Sequence, residues 1–188
     1  METNQLFASF KQEKLRNLGV YKSQKLKEYF EANLAKDFIC LSQAPYNLQI
    51  LFIQKKNKSL KFYINYQNLN AITKRNCYFL LLIKKAIIQI EGYKYLTKIN
   101  IILAFNCIRI DFEYKDAMLF ITSFGIYCYW VMFFGLINGP VIWQNYINNI
   151  LFEYLNVFCQ AYIDNILIYS KICKKYYQYI KLVLDKLY

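Results

Sequence analysis

Few side chains in this chain could act as general acids or bases or bind a metal ion. It has 12 acidic residues against 24 basic ones, and it has no histidine. One candidate is Asp164, which stands with Asn165 between two apolar runs. These runs predict a hairpin from Phe158 to Ser170 with the two polar residues at its tip. Because Asp-Asn is also an ordinary tight-turn sequence, the pair alone does not separate a functional site from a turn.

A second candidate is a basic turn at residues 55–59. Strand-like runs from Leu48 to Gln54 and from Leu60 to Tyr66 flank it and predict a hairpin with this turn at its tip. Its three lysines are Lys55, Lys56 and Lys58. They could contact phosphates, although such a turn is also often only solvated. The formal charge of +12 fits either reading, because an excess of basic residues attracts polyanions and anionic membrane surfaces.

The cysteines argue against a metal site. Six cysteines are scattered without a CxxC pair, and no histidine is present to complete a zinc site. Their irregular spacing predicts free thiols in a reducing compartment. The polar start of the chain has no signal-peptide core, which predicts an intracellular location in the cytoplasm or nucleus.

The elements that must position these residues are mixed. Apolar residues make up 57% of the 188 residues, which requires a packed core or a membrane. The charged residues 1–36 have the pattern of a surface helix or linker, Val141 to Leu155 that of a helix, and the lysine-rich tail that of another. Further strands are predicted at Lys98 to Asp111, Leu119 to Thr122 and Tyr127 to Met132. Because strands and helices do not alternate regularly, the pattern favours the α+β class.

One segment supports a different class of protein. Ala117 to Phe152 contains no charged residue, and Ile121 to Ile137 is nearly apolar throughout. That length is close to the ~20 residues that a membrane-spanning helix needs. The segment also contains glycine, asparagine and proline, which break helices or prefer turns. Composition therefore leaves a membrane span open.

Five segments in order along the chain carry a resemblance to a known family. They are Glu31 to Tyr46, Leu60 to Tyr78, Lys94 to Ile110, Val131 to Leu151 and Cys159 to Lys171. The last of them, CQAYIDNILIYSK, resembles a motif with a tyrosine, a variable residue and two aspartates at a hairpin tip. Together they resemble the fingers and palm of the reverse transcriptase of Ty3/gypsy-type long-terminal-repeat retrotransposons.

The resemblance implies a right-hand polymerase fold with an antiparallel palm sheet packed on helices and with the thumb largely absent. Residues 1–36 would be an N-terminal helical or linker segment and residues 37–95 the fingers-like part. The palm-like part would be residues 96–172, with the motif hairpin at 158–170. Residues 173–188 would begin a helix leading toward the thumb.

The resemblance also implies roles for individual residues. In the family, three aspartates hold two Mg²⁺ ions for in-line phosphoryl transfer from a dNTP, and their positions here are Asn100, Asp164 and Asn165. Phe105 would be the aromatic gate against ribose, and Gln144 would face the template strand. The implied nucleotide-binding residues are Lys61, Phe105, Phe134, Gly135 and Tyr162. The implied nucleic-acid-binding residues are Lys55, Lys56, Lys58, Pro140 and Gln144.

Two of the three expected carboxylates are amides in this chain. An asparagine offers one neutral carbonyl oxygen and no charge, so Asp164 would be the one metal ligand left and Mg²⁺ binding would be weak. No nearby carboxylate is expected to replace them. If the strand stayed extended, at ~3.3 Å per residue Asp111 would lie more than ~30 Å from Asn100. The sequence thus predicts a degenerate element copy whose polymerase is inactive.

The partners implied by the resemblance are an RNA template, a DNA primer and a dNTP, without stable membrane association. The sequence does not give the oligomeric state. Two alternatives stay open: a non-catalytic module that binds RNA or DNA, and a small membrane protein that uses Ile121 to Ile137.

Overall fold

A computed structural model describes residues 19–42, 48, 50–54, 60–78 and 88–188, with the backbone alone at 54, 60–62 and 116. The helices are α1 (Val20–Leu34), α2 (Gln67–Ile72), α3 (Gly139–Ile150) and α4 (Cys173–Leu187). The strands are β1 (Ile39–Leu41), β2 (Ile50–Gln54), β3 (Leu60–Ile64), β4 (Tyr95–Asn100), β5 (Leu119–Thr122), β6 (Gly125–Tyr129), β7 (Cys159–Tyr162) and β8 (Asn165–Ser170). Two 3₁₀ helices span Ala104–Cys107 and Phe112–Met118. Helices beside antiparallel sheets confirm the α+β class.

The chain forms two compact units, and each is built from two separate segments. Unit 1 comprises Met1–Lys74 and Phe105–Gly139, and unit 2 comprises Arg75–Ala104 and Pro140–Tyr188. The sequence-based division into contiguous regions at 1–36, 37–95, 96–172 and 173–188 does not follow these units. As a division by function it stays a prediction.

Unit 1 contains two antiparallel sheets, one with the strand order β1-β6-β5 and one formed by β2 and β3. The β2–β3 pairing confirms the predicted hairpin, and its basic turn lies outside the described residues. Aromatic side chains dominate the core beside the larger sheet. Phe120 and Tyr129 are fully buried with ring centroids 5.0 Å apart. Burying two such rings contributes several kcal/mol to this core, at about 25 cal/mol per Å².

Helix α1 packs one face on this core while most of its residues are exposed, so the helix expected within residues 1–36 is present at residues 20–34. Leu26 and Phe30 lie four residues apart on one face of the helix, and both are buried. The Phe30 ring stacks on Tyr127 of β6, with centroids 4.8 Å apart. This four-residue apolar spacing marks the face of α1 that packs on the core.

The uncharged segment forms strands. Residues 121–137 include the end of β5, a turn, β6 and a loop, so they do not form the membrane-spanning helix that composition left open. Gly125, with φ of 131°, forms the end of the tight β5–β6 turn, where a side chain would be strained. Within the described part of the chain, no helix combines the length and apolar character that crossing a membrane requires.

Unit 2 is built on an antiparallel sheet with the strand order β4-β8-β7. The central strand β8 buries Ile166 and Ile168, two residues apart on one face as strand geometry requires. The register pairs Tyr162 with Asn165 across β7 and β8, so the predicted hairpin has a two-residue turn, Ile163-Asp164. The prediction of this hairpin is confirmed.

The strand predicted from Lys98 to Asp111 is too long. β4 ends at Asn100, because Leu103 adopts a left-handed φ of 57° and a 3₁₀ helix follows it. The chain therefore bends after Asn100, and the separation calculated for an extended strand does not apply to Asp111.

The expectation of free thiols is wrong for one pair of cysteines. Cys40 of β1 and Cys128 of β6 lie directly opposite each other and are disulfide-bonded, with 5.3 Å between their Cα atoms. The other four are thiols, of which Cys159 is buried and Cys77, Cys107 and Cys173 are exposed.

Candidate active site

The three residues predicted to stand at the family's metal-ligand positions come together in unit 2. Asn100, the last residue of β4, lies directly opposite Asn165, the first residue of β8. The backbone N–H of Ile101 donates to the carbonyl oxygen of Asp164 over 2.7 Å and ties the end of β4 to the hairpin turn. The ends of two neighbouring strands and a turn therefore lie together at one end of the sheet.

The amide of Asn165 is turned toward the remaining carboxylate. Its Nδ2 donates to Oδ1 of Asp164 over 2.7 Å. This contact occupies one carboxylate oxygen with a neutral donor. An aspartate at the same place would offer an oxygen to a shared cation in place of this N–H.

The turn of the hairpin has an unusual backbone. Ile163 has a φ of 50°, a left-handed conformation that is rare for a β-branched residue and costs roughly 1–3 kcal/mol. Glycine is the residue usually found at such a position. The surrounding structure must therefore hold this turn in place.

Two consecutive residues of α3 hold the turn. Nε1 of Trp143 donates to the carbonyl oxygen of Ile163 over 2.7 Å, and the N–H of Ile163 donates to Oε1 of Gln144 over 2.8 Å. Both backbone polar groups of Ile163 are thus satisfied by helix side chains. Trp143 is 2% exposed, so its ring also anchors the contact in the core of unit 2.

Gln144 lies inside the unit, contrary to the expectation that it faces a template strand. It is 1% exposed, and its Nε2 donates to the carbonyl oxygen of Ala161 and to Oδ1 of Asn148, each over 2.9 Å. Buried amides need such partners, since an unpaired one costs about 1–3 kcal/mol. These contacts favour a positioning role for Gln144 rather than direct contact with nucleic acid.

The oxygen ligands that Asn100, Asp164 and Asn165 offer do not fit a pair of divalent cations. Mg²⁺ binds hard, mainly anionic oxygens, whereas the three positions offer one carboxylate and two carboxamides. Within the described residues, no three acidic, cysteine or histidine side chains form a metal-binding group. The three positions therefore bring one formal negative charge to this end of the sheet.

Unit 1 brings together two of the predicted nucleotide-binding residues. The rings of Phe105 and Phe134 pack edge to face, with centroids 4.9 Å apart. Phe105 is buried, whereas Phe134 is partly exposed. Gly135 follows with a φ of 107°, and a Cβ there would lie 3.3 Å from the ring of Tyr66. This backbone requires glycine.

The structure describes some of the remaining predicted site residues and not others. Tyr162 is half-buried at the end of β7, and Pro140 stands in the first turn of α3, where proline is tolerated. Lys61 lies on β3, but its side chain is outside the described atoms. The turn with Lys55, Lys56 and Lys58 is also outside the described residues.

Sequence reasoning missed Trp143 altogether and misjudged Gln144. The signal that could have found them is a tryptophan next to a glutamine in the helix predicted from Val141, because both side chains carry hydrogen-bonding atoms. Such atoms need partners once the helix is buried, and a neighbouring backbone turn can supply them.

Comparison with known proteins gives matches over most of this chain. The family profile for reverse transcriptase (RNA-dependent DNA polymerase) matches residues 53–188. The Tf2-7 and Tf2-3 transposon polyproteins of Schizosaccharomyces pombe are each 31% identical over 166 residues. These matches cover 88% of this chain and 12% of each polyprotein, so the chain spans a small part of these relatives.

Solved structures share the fold. The foamy viral protease-reverse transcriptase in complex with an RNA/DNA hybrid has a TM-score of 0.82 at 12% identity, covering 94% of this chain and 24% of that one. The native protease-reverse transcriptase of prototype foamy virus has a TM-score of 0.81 at 17% identity, covering 96% and 25%.

Proposed function

The chain belongs to the reverse transcriptase (RNA-dependent DNA polymerase) family, and we propose that it is the fingers and palm of a retrotransposon polymerase that no longer adds nucleotides. The single observation that supports the loss of nucleotide addition is the set of side chains at Asn100, Asp164 and Asn165. Reverse transcriptases use divalent metal ions, and in this chain amides stand at Asn100 and Asn165 where the family has aspartates. One carboxylate, Asp164, does not replace three.

The proposal includes the origin of the chain. Its relatives at 31% identity are transposon polyproteins of which it spans 12%, which supports descent from one region of such a polyprotein. Their other activities are not assigned to this chain.

The proposal also includes binding of nucleic acid. The chain carries a formal charge of +12, and a foamy viral protein of the same fold was solved with an RNA/DNA hybrid. We expect an RNA template paired with a DNA primer to bind mainly through phosphate contacts, so that affinity falls steeply with salt. The contacts carried over from the family include Lys55, Lys56, Lys58 and Pro140, together with Lys61 for the dNTP triphosphate.

The chemistry proposed for the unaltered family site needs Mg²⁺, and the residues present here do not fit it. The chain's own residues still hold the backbone of the β7–β8 turn in place. The Trp143 and Gln144 side chains fix the Ile163 peptide, which places Asp164 at the edge of β8. If this backbone is retained and two carboxylates are missing, we expect activity to return when positions 100 and 165 carry aspartate again.

Primer extension on an RNA template tests this proposal. The natural chain and the variant Asn100→Asp plus Asn165→Asp are compared with Mg²⁺ or Mn²⁺, and the same variant with Asp164→Asn added is the control. We expect extension by the restored variant alone. Extension by the natural chain would overturn the claim of inactivity. If the restored variant folds but does not extend, the missing carboxylates are not the explanation.

A non-catalytic nucleic-acid-binding role is favoured over no binding by the charge excess. Fluorescence anisotropy of a labelled RNA/DNA hybrid, measured from low to physiological salt, distinguishes the two. Binding that weakens with salt and does not change with EDTA supports this role. Equal affinity for a neutral polymer would contradict it.

A further inference from the structure

Asn70 of α2 joins that helix to the loop that follows β6. Its Nδ2 donates to the carbonyl oxygen of Gly135 over 2.8 Å, and its Oδ1 accepts the backbone N–H of Ile137 over 2.9 Å. Both ends of one carboxamide thus bind the loop, two residues apart. This bidentate contact spans more than sixty residues of sequence within unit 1.

A second contact runs in the opposite direction. Nδ2 of Asn138 donates to the backbone carbonyl oxygen of Lys74 over 2.8 Å. The loop and the segment that begins with α2 are therefore joined by three hydrogen bonds from two asparagine side chains. A loop held at Gly135, Ile137 and Asn138 has little freedom to shift along α2.

Packing alone does not hold this loop. Leu136, Ile137 and Asn138 line an open groove of about 530 Å³ together with Lys74 and Tyr114, so one side of the loop faces this groove and not a packed neighbour. A side chain on an open face makes fewer dispersion contacts than one in a filled core. The three hydrogen bonds therefore contribute to fixing the loop where packing is incomplete.

The loop begins with a residue of the proposed nucleotide site. Phe134 immediately precedes Gly135 and packs edge to face on Phe105, with centroids 4.9 Å apart. The backbone at Gly135 has a φ of 107°, a conformation that would be strained for any residue with a side chain. The direction in which the loop leaves Phe134 therefore depends on this glycine. Holding the Gly135 carbonyl oxygen therefore also holds the ring of Phe134 in place.

We propose that Asn70 is a positioning residue for the loop at residues 134–138. By holding this loop, it keeps Phe134 against Phe105. The inference rests on the proposed function, because it assigns this loop to dNTP recognition. Asn70 itself need not touch a nucleotide. Its removal should loosen the loop and weaken dNTP binding, while the primer-template contacts of the chain stay unchanged.

Amide hydrogen exchange on the natural chain tests the structural half. In Asn70→Ala the Ile137 N–H loses its acceptor, and we expect its exchange to accelerate about ten-fold. Asn70→Asp keeps an oxygen for Ile137 but cannot donate to Gly135, so the effect should be smaller. Asn68→Ala, an exposed asparagine of the same helix, is the matched control. Equal exchange in Asn70→Ala and the control would overturn the proposal.

Primer extension by the restored Asn100→Asp plus Asn165→Asp chain tests the functional half. Adding Asn70→Ala should raise KM for the dNTP about ten-fold, with kcat and the affinity for primer-template changed by less than about two-fold. A fall in kcat alone, or equal losses of both affinities, would overturn the positioning role. If the restored chain does not extend primers, the proposed function fails, while the Ile137 exchange still decides whether Asn70 fixes the loop.

Discussion

Asn165 donates its side-chain N–H to the carboxylate of Asp164 over 2.7 Å, so the last acidic group of the hairpin is bonded to its own neighbour. Asn100 lies opposite Asn165 on the adjacent strand. Where an active enzyme of the family would gather negative charge that a cation must neutralise, this chain has a neutral donor facing a carboxylate. Under the proposed function, the two amides replace metal ligands and also remove the repulsion that neighbouring carboxylates would cause.

Restoring both aspartates should make the stability depend on metal. Three carboxylates on neighbouring strands repel one another, so we expect Asn100→Asp plus Asn165→Asp to lose about 1 kcal/mol of unfolding free energy in EDTA. Added Mn²⁺ should recover the loss. Thermal unfolding with and without Mn²⁺ measures this.

The matched control for that experiment is Asn145→Asp plus Asn149→Asp. It adds the same two charges on exposed positions of α3. The prediction is wrong if both double variants respond to Mn²⁺ equally, because the response would then reflect net charge rather than the hairpin.

Gln144→Leu should destabilise the hairpin strongly. The variant removes the acceptor of the Ile163 N–H and the donor to the Ala161 carbonyl oxygen, and it leaves these buried groups unpaired. We expect a loss of about 3 kcal/mol in denaturant unfolding. Asn145→Leu, on the exposed side of the same helix, should change stability by less than about 0.5 kcal/mol. Similar losses in the two variants would show that the buried amide has no special role.

Relief of backbone strain at the hairpin tip can be measured with two variants of Ile163. Ile163→Gly and Ile163→Ala lose nearly the same apolar surface, but the alanine keeps a Cβ at a φ of 50°. We expect the glycine variant to be the more stable of the two by about 1 kcal/mol. If the alanine variant is as stable, the turn changes conformation and is not held by Trp143 and Gln144.

Much of unit 2 could be predicted from the sequence because its signals are local. The apolar runs on either side of Asp164-Asn165 specify two strands and a short turn. Collinear motifs also placed Asn100 beside that turn, and the register of β4 and β8 agrees. What local patterns do not contain is the bonding of Gln144 to Ile163, because it depends on how α3 packs on the hairpin.

Unit 1 shows what local patterns leave open. The strands predicted from Leu119 to Thr122 and from Tyr127 to Met132 are confirmed by β5 and β6. Hydropathy alone also allowed one long helix over residues 121–137, and the pairing of β6 with β1, from far along the chain, excludes it. The same pairing brings Cys40 to Cys128, 88 residues away. Spacing along the chain says little about such a contact, which is why all six cysteines looked like free thiols.

Thiol labelling should divide the cysteines into three groups. The exposed Cys77, Cys107 and Cys173 should react with a thiol reagent at pH 8 in the native chain. Burial raises the pKa of Cys159 to about 12, so this thiol should react only after denaturation. Cys40 and Cys128 should need a reductant as well. Mass spectrometry of labelled peptides reads this out, and rapid native labelling of Cys40 would contradict the disulfide.

Alkaline pH should destabilise the chain through buried phenols. Burial raises the pKa of Tyr29 to about 12, although its hydrogen bond with Tyr129 acts in the opposite direction. Burial also raises the pKa of Tyr169 to about 12. Both values are above the ordinary 10.0, so the folded state holds these protons more tightly than the unfolded state does.

The sign of the effect follows from this difference. The stabilisation is fully present below about pH 10 and is lost as the pH rises through about 12, because only the unfolded chain then releases the protons easily. Tyrosinate absorbance and circular dichroism, recorded together from pH 9 to 12.5, should show ionisation of these phenols coinciding with unfolding. Tyr29→Phe should reduce the pH dependence, whereas Tyr21→Phe, at an exposed position of α1, should leave it unchanged. Titration of every tyrosine near pH 10 without loss of structure would contradict their burial.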